Sequence, residues 1–228
     1  GAATPDPTAR LFLFRSPKSI SYYSFLSLQE WYVHTNIWAN LTRLDRQSQI
    51  QGDLATQWEV RDGGKEYRFK LDTNRKWSDG TPITTAQVHR SLVAATMKRN
   101  GKILAHLMRG GPDEEAVKKA ITLEDEGTTL VLRLNHPQPK LLHHLTRAEF
   151  GIVDLESLGA DGVLTPQTKT SGDYRIEAND DAALTLEMNL ANSPESPRAR
   201  GPKRVIFKKI ANHAEALALI RKGSNRLF

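Results

Sequence analysis

The sequence predicts a mixed α/β fold, α+β-like, in which strands and helices follow one another without the regular alternation of a parallel sheet. Three observations carry this expectation. Short runs of alternating apolar residues flank tight turns in three places, helix-capping spacings open several periodic runs, and no stretch repeats another. At 228 residues, 39% hydrophobic and 25% charged, the chain has room for one large domain or two small ones, with a core that needs no metal or disulfide.

The elements follow in chain order. Leu11 to Phe14 is an apolar run between Arg10 and Arg15, as expected for a buried strand. A loop punctuated by Pro17 comes next. Ser27 stands three residues before Glu30, the capping-box spacing, and Trp31, Thr35, Trp38 and Leu41 recur at helical intervals, which predicts a helix over 28–40. Within 54–71, Trp58 and Val60 alternate before Asp62-Gly63-Gly64, and Tyr67, Phe69 and Leu71 alternate after it, the pattern of a hairpin. The turn cluster from Trp77 to Pro82 leads to Thr84, three residues before Gln87, so a helix over 85–98 is expected with Val88, Leu92 and Ala95 facing inward.

Short helices are expected over 101–107 and 114–119, separated by Gly110-Gly111-Pro112. A second hairpin joins 121–123 to the alternating Leu130, Leu132 and Leu134 through Asp125-Glu126-Gly127. Pro139 suits the first turn of a helix reaching 146, and 159–172 reads as loop. A third hairpin, 174–177 with 184–188, turns at Asn179-Asp180-Asp181. The chain then offers a strand over 205–210 and a helix capped at Asn212, with Glu215 at its third position and Gly223 beyond its end.

Composition excludes several chemistries. With no Cys there is no disulfide framework, thiolate zinc site, iron-sulfur cluster or cysteine nucleophile. The most apolar stretch, 19–41, contains Glu30, His34, two Asn and several Ser, which a membrane span of about 20 apolar residues would not tolerate. The formal charge of +6 is concentrated where Arg198, Arg200, Lys203, Arg204, Lys208 and Lys209 face the single acid Glu195. Such a run can attract phosphates or an anionic surface, although a solvated basic loop is the commoner outcome. The amino-terminal GAATPDPT lacks the tripartite pattern of a signal peptide.

Four motifs appear in order: NIWANLTRLD from Asn36, DLATQWEV from Asp53, KWSDGTPITTAQV from Lys76 and TSGDYRI from Thr170, with a weaker fifth, EALALIRKG, from Glu215. They resemble, respectively, "YEGLVRLD", "GLAESWEV", "KFHDGTPLTAEDV", "GTGPYRL" and "ARLAALQSGE" of the extracellular solute-binding proteins of family 5, the peptide, oligopeptide and nickel receptors of bacterial ABC importers. Taken by themselves the motifs are turns, caps and core positions: Asp79-Gly80 makes a tight turn, Thr84 caps a helix, and Trp58 and Trp77 are core.

The resemblance implies a periplasmic-binding-protein type II fold with a mixed sheet and hairpins, of which this chain is the first lobe and the second lobe is absent. It implies a core subdomain of 1–48 plus 166–228 and an inserted α+β subdomain of 49–165. The expected solute is a peptide or other small molecule, the expected partner a membrane ABC permease, and the expected state a monomer outside the cytoplasm, periplasmic or otherwise extracytoplasmic, with a lipid anchor possible in the precursor. A lobe alone offers one wall of a pocket, so weak affinity is expected. The wall corresponds to Ser21, Tyr22, Tyr23, Ser24 and Phe25, where rings would supply area and hydroxyls directional bonds; packing of Tyr22 and Phe25 against the following helix is the plainer alternative.

Other readings have less behind them. His143 and His144 are consecutive on an expected helix and point about 100° apart, poor geometry for a shared ion, so no metal is expected there or at His136. Asp53, Asp79 and Asp173 sit in turn-like sequence, no GxSxG or phosphate loop occurs, and neither catalysis nor a cofactor is expected. A nucleic-acid binder would need stacking aromatics in the basic run, where Phe207 stands alone, so no nucleic acid is expected. The competing class is a single-lobe interaction or ligand-sensing module, of the regulator type or binding an anionic surface, without transport.

Overall fold

In the computed structural model, residues 8–14, 20–23, 28–98, 101–192, 201–210 and 212–222 are described. Their elements run β1 (Thr8–Phe14), α1 (Leu28–Ile37), β2 (Thr42–Leu44), β3 (Ile50–Gly52), β4 (Ala55–Arg61), β5 (Glu66–Leu71), α2 (Thr85–Met97), α3 (Lys102–Leu107), α4 (Glu114–Ala120), β6 (Ile121–Glu124), β7 (Thr129–Arg133), α5 (Leu141–His144), β8 (Tyr174–Asn179), β9 (Ala183–Met188), β10 (Arg204–Ile210) and α6 (His213–Arg221). All three expected hairpins form, and the mixed α/β class holds. The chain divides into two compact units, Gly1–Ile37 with Asp154–Phe228, and Trp38–Val153. The sequence reading set the inserted segment at 49–165.

The first unit is built on a four-stranded sheet in the order β1-β10-β9-β8, with β1 parallel to β10 and the other pairs antiparallel. Strand alternation puts Ile176, Leu184, Leu186, Val205 and Phe207 inside, and Ile210 is buried at the end of β10. Helix α1 buries Glu30, Val33, His34 and Ile37, one stripe at i, i+3, i+4 and i+7. Of the residues that recur at helical spacing, Trp31 and Thr35 lie on the exposed side, and two polar residues take inward positions. The helix also stops at Ile37 rather than 40, because Ala39 leaves it to accept a hydrogen bond from the Ile152 amide at 2.7 Å.

The basic run is partly neutralised by its own sheet. Arg204 forms an ion pair with Glu177, and Arg175 with its cross-strand neighbour Glu187. Lys209 donates to the Asn179 side chain and the Asp180 carbonyl, each at 2.6 Å. Arg198 and Arg200 lie outside the described residues.

The second unit holds the sheet β4-β5-β7-β6 and the β2-β3 hairpin. One sheet face supplies Tyr67, Phe69, Leu71, Leu130 and Leu132 to a core shared with Val88, Leu92 and Ala95 of α2. The opposite face carries an ion network, with Arg133 meeting Glu124 at 2.8 Å and Glu66 at 3.2 Å, and Arg68 meeting Glu124 at 3.3 Å. Helix α5 is shorter than expected, beginning at Leu141 rather than near Pro139 and ending at His144.

Two of the motifs explain themselves here. In KWSDGTPITTAQV the Gly80 amide donates to the Trp77 carbonyl at 2.9 Å, and Gly80 has φ +86°, a conformation costly for any residue with a Cβ. Asp79 accepts from the Thr81 amide at 2.9 Å and hydroxyl at 2.6 Å. Thr84 and Gln87 form a reciprocal capping box, and the same Gln87 Oε1 accepts the indole N–H of the fully buried Trp77 at 3.0 Å. In DLATQWEV the buried Asp53 accepts from Arg75 at 2.9 Å and from the Asn40 amide at 3.2 Å, while the Asn40 side chain donates to the Leu145 and Arg147 carbonyls.

Four outcomes are expected. Thr84→Ala removes one cap bond and should cost about 1 kcal/mol in urea unfolding, whereas Gln87→Ala strips both the cap and the Trp77 indole and should cost more. Asp53→Ala leaves Arg75 charged with its buried partner gone and should cost about 3–5 kcal/mol. Burial lowers Lys98, just after α2, from its usual range to about 7. The unfolded chain therefore holds more protons at this site between about 7 and 10.5, and stability rises with pH across that window. Lys98→Met should be more stable than the wild type at pH 7, by a margin that narrows towards pH 9 in melts of the two proteins.

Candidate functional site

The candidate wall starts from a short segment, Ile20 to Tyr23, which carries a bridge at Ser21 and turns at Tyr22 and Tyr23. Ile20 and Tyr22 are fully buried, and Tyr23 is 54% exposed. It pairs with 162–164 through an isolated antiparallel bridge between Ser21 and Val163. The flanking bonds are Tyr22 N–H to the Gly162 carbonyl at 2.8 Å and Leu164 N–H to the Ile20 carbonyl at 2.9 Å. In a pair of this kind the central residues turn their own amides and carbonyls away from each other. Among the described residues the Ser21 N–H and C=O take no partner, which leaves one backbone edge open.

Side chains hold this edge in place. Ser21 Oγ donates to the Asp161 carbonyl at 2.9 Å and accepts from the Tyr23 amide at 3.2 Å. The Tyr22 and Tyr23 rings meet at 5.3 Å with an interplanar angle of 58°. Farther along, Leu28 and Trp31 on α1 are 58% and 40% exposed, and Trp31 makes an edge contact with Tyr32 at 5.4 Å.

Of the five residues expected from sequence, Ser21 stands at the open edge and Tyr23 on the outward face. Tyr22 is 1% exposed and belongs to the core. Ser24 and Phe25 lie outside the described residues. Sequence reasoning missed Asp161 and Gly162, the second half of the wall; the dipeptide Asp161-Gly162 is a turn signal inside the segment read as loop. The arrangement offers one donor and one acceptor of the main chain beside an exposed ring, which suits non-covalent recognition of an extended ligand. His143 and His144 occupy the short helix α5, and among the described residues no three His, Asp or Glu side chains converge as metal ligands.

With this geometry in view, the chain is similar to known proteins over most of its length. The family model for bacterial extracellular solute-binding proteins, family 5 Middle, matches residues 49–226. The relative described as the probable D,D-dipeptide-binding periplasmic protein DdpA of Escherichia coli K12 is 27% identical over 178 residues, 76% of this chain and 33% of that one. The dipeptide-binding protein DppE of Bacillus subtilis 168 is 26% identical over 120 residues, 49% of this chain and 22% of its own. The crystal structure of Haemophilus influenzae OppA in complex with RPPGFSPFR superposes with a TM-score of 0.80 at 19% identity, covering 96% of this chain and 45% of that one, which shows a shared fold. The chain thus spans less than half the length of these relatives.

Proposed function

Because the chain belongs to the bacterial extracellular solute-binding proteins of family 5, we infer that it is the solute-binding part of an ABC importer and that its solute is a peptide. The observation that carries this reading is the open main-chain edge at Ser21, anchored from behind by Ile20 and Tyr22 and flanked by the exposed Tyr23. A peptide in extended form presents alternating amides and carbonyls, and adding it to such an edge satisfies both partners without demanding any particular side chain. The names of the dipeptide-binding relatives support the same solute class.

The rest of the assignment follows from that role. The protein works outside the cytoplasmic membrane as a monomer and delivers its solute to a membrane permease, its function being binding rather than catalysis. No helix among the described residues is long and apolar enough to cross a membrane. The periplasmic location in the name of the Escherichia coli relative supports this placement.

The 228-residue chain should bind trialanine with a dissociation constant on the order of 0.1–1 mM in an NMR titration, because a one-sided wall leaves ligand hydrogen bonds competing with water. Trialanine N-methylated at its central residue lacks the amide that would donate to the Ser21 carbonyl, and should bind about tenfold more weakly. Equal binding of the two peptides would refute the main-chain pairing.

A further inference from the structure

Gly162 has φ +68° and lies directly against the wall. A Cβ placed on it would come within 2.5 Å of Cδ2 and Cε2 of Tyr23 and within 2.9 Å of Ser21 Oγ. The Tyr23 ring and the Ser21 hydroxyl therefore rest on a bare Cα, and no other residue type leaves room for both. The ring is held from a second side by Tyr22, at 5.3 Å between centroids, and its backbone is tied to Ser21 Oγ. Yet 54% of Tyr23 remains exposed. A large exposed side chain is ordinarily free to turn; this one is braced in advance, so it loses little rotamer freedom when a ligand covers it.

The shared contact with Gly162 fixes what such a ring would touch. Ser21 Oγ and the Tyr23 ring both lie against the Gly162 Cα and so stand side by side. In an antiparallel addition at Ser21, the ligand residue opposite Ser21 projects its side chain on the side that the Ser21 side chain takes, with the Tyr23 ring beside it. We propose that Tyr23, positioned by Gly162, is a specificity platform that selects peptides with an aromatic side chain at the residue paired with Ser21. This rests on the peptide-receptor reading above and adds the side-chain preference to it. Ring-on-ring contact adds to area burial, a gain that an aliphatic side chain of similar size does not recover.

The test uses the 228-residue chain and three tripeptides: Ala-Phe-Ala, Ala-Leu-Ala and Ala-Ala-Ala. Titrations followed by NMR should show Ala-Phe-Ala binding about threefold to tenfold more tightly than Ala-Leu-Ala. In Tyr23→Leu and in Gly162→Ala the ratio of Ala-Phe-Ala to Ala-Leu-Ala affinity within each variant should fall to within about twofold. An alanine at φ +68° strains the backbone, so Tyr23→Leu, which leaves Gly162 in place, carries the result if the glycine variant melts early. A phenylalanine preference that survives in Tyr23→Leu, or none in the wild type while all three peptides bind, overturns the platform and leaves the peptide-receptor reading standing. No binding of any of the three overturns both.

Discussion

An insertion of roughly a hundred residues has to leave a domain and return to it at one place, and the antiparallel contact between Ala39 and Ile152 is where this chain does so. Closing a loop of that length costs on the order of 4 kcal/mol in chain entropy before any contact is counted. The residues beside the closure offset that cost with fully satisfied polar groups: Asp53 holds Arg75 and the Asn40 amide, Asn40 reaches the Leu145 and Arg147 carbonyls, and the Thr42 hydroxyl donates to the Leu142 carbonyl at 2.8 Å. The first unit is stitched in the same manner, since its two halves meet through the parallel β1–β10 pair, the Gly172 amide on the Ile37 carbonyl, and the Ser21–Val163 bridge. The candidate wall is thus one of the seams that make the first unit a single body.

The local parts of this architecture were legible in the sequence, because their bonds span three or four residues. Thr84 with Gln87, the tight turn at Asp79-Gly80, and Asn212 accepting the Glu215 amide at 2.9 Å all appear where their spacing placed them. The family resemblance was legible for the same reason, its strongest motif being a turn followed by a cap. Seams between distant segments left no such mark. Nothing in Leu11 to Phe14 announces a parallel partner at Phe207 to Ile210, and nothing in Ser21 announces Val163.

The candidate wall shows the same division. Residue types marked the stretch as suited to recognition, but which of two adjacent tyrosines is buried depends on the pairing of Ser21 with Val163 and on the turn at Tyr22 and Tyr23, which residue types do not reveal. Helix α1 is a related case. Helical spacing singles out Trp31, which is exposed, whereas the inward stripe includes Glu30 and His34, polar groups whose acceptability depends on tertiary partners that spacing along one helix does not reveal.

Formal charge was similarly a poor guide to surface chemistry. Arg204 and Lys209 belong to a run that reads as a basic patch, yet the first is paired with Glu177 and the second is occupied by Asn179 and the Asp180 carbonyl. What the strand order brings alongside each cation decides how much of its field reaches a partner.

Burial of Tyr22 beside an exposed Tyr23 divides adjacent codons between different demands. On the proposed reading the first answers to folding and the second to the ligand, so drift at the second could alter what is bound while the fold is kept.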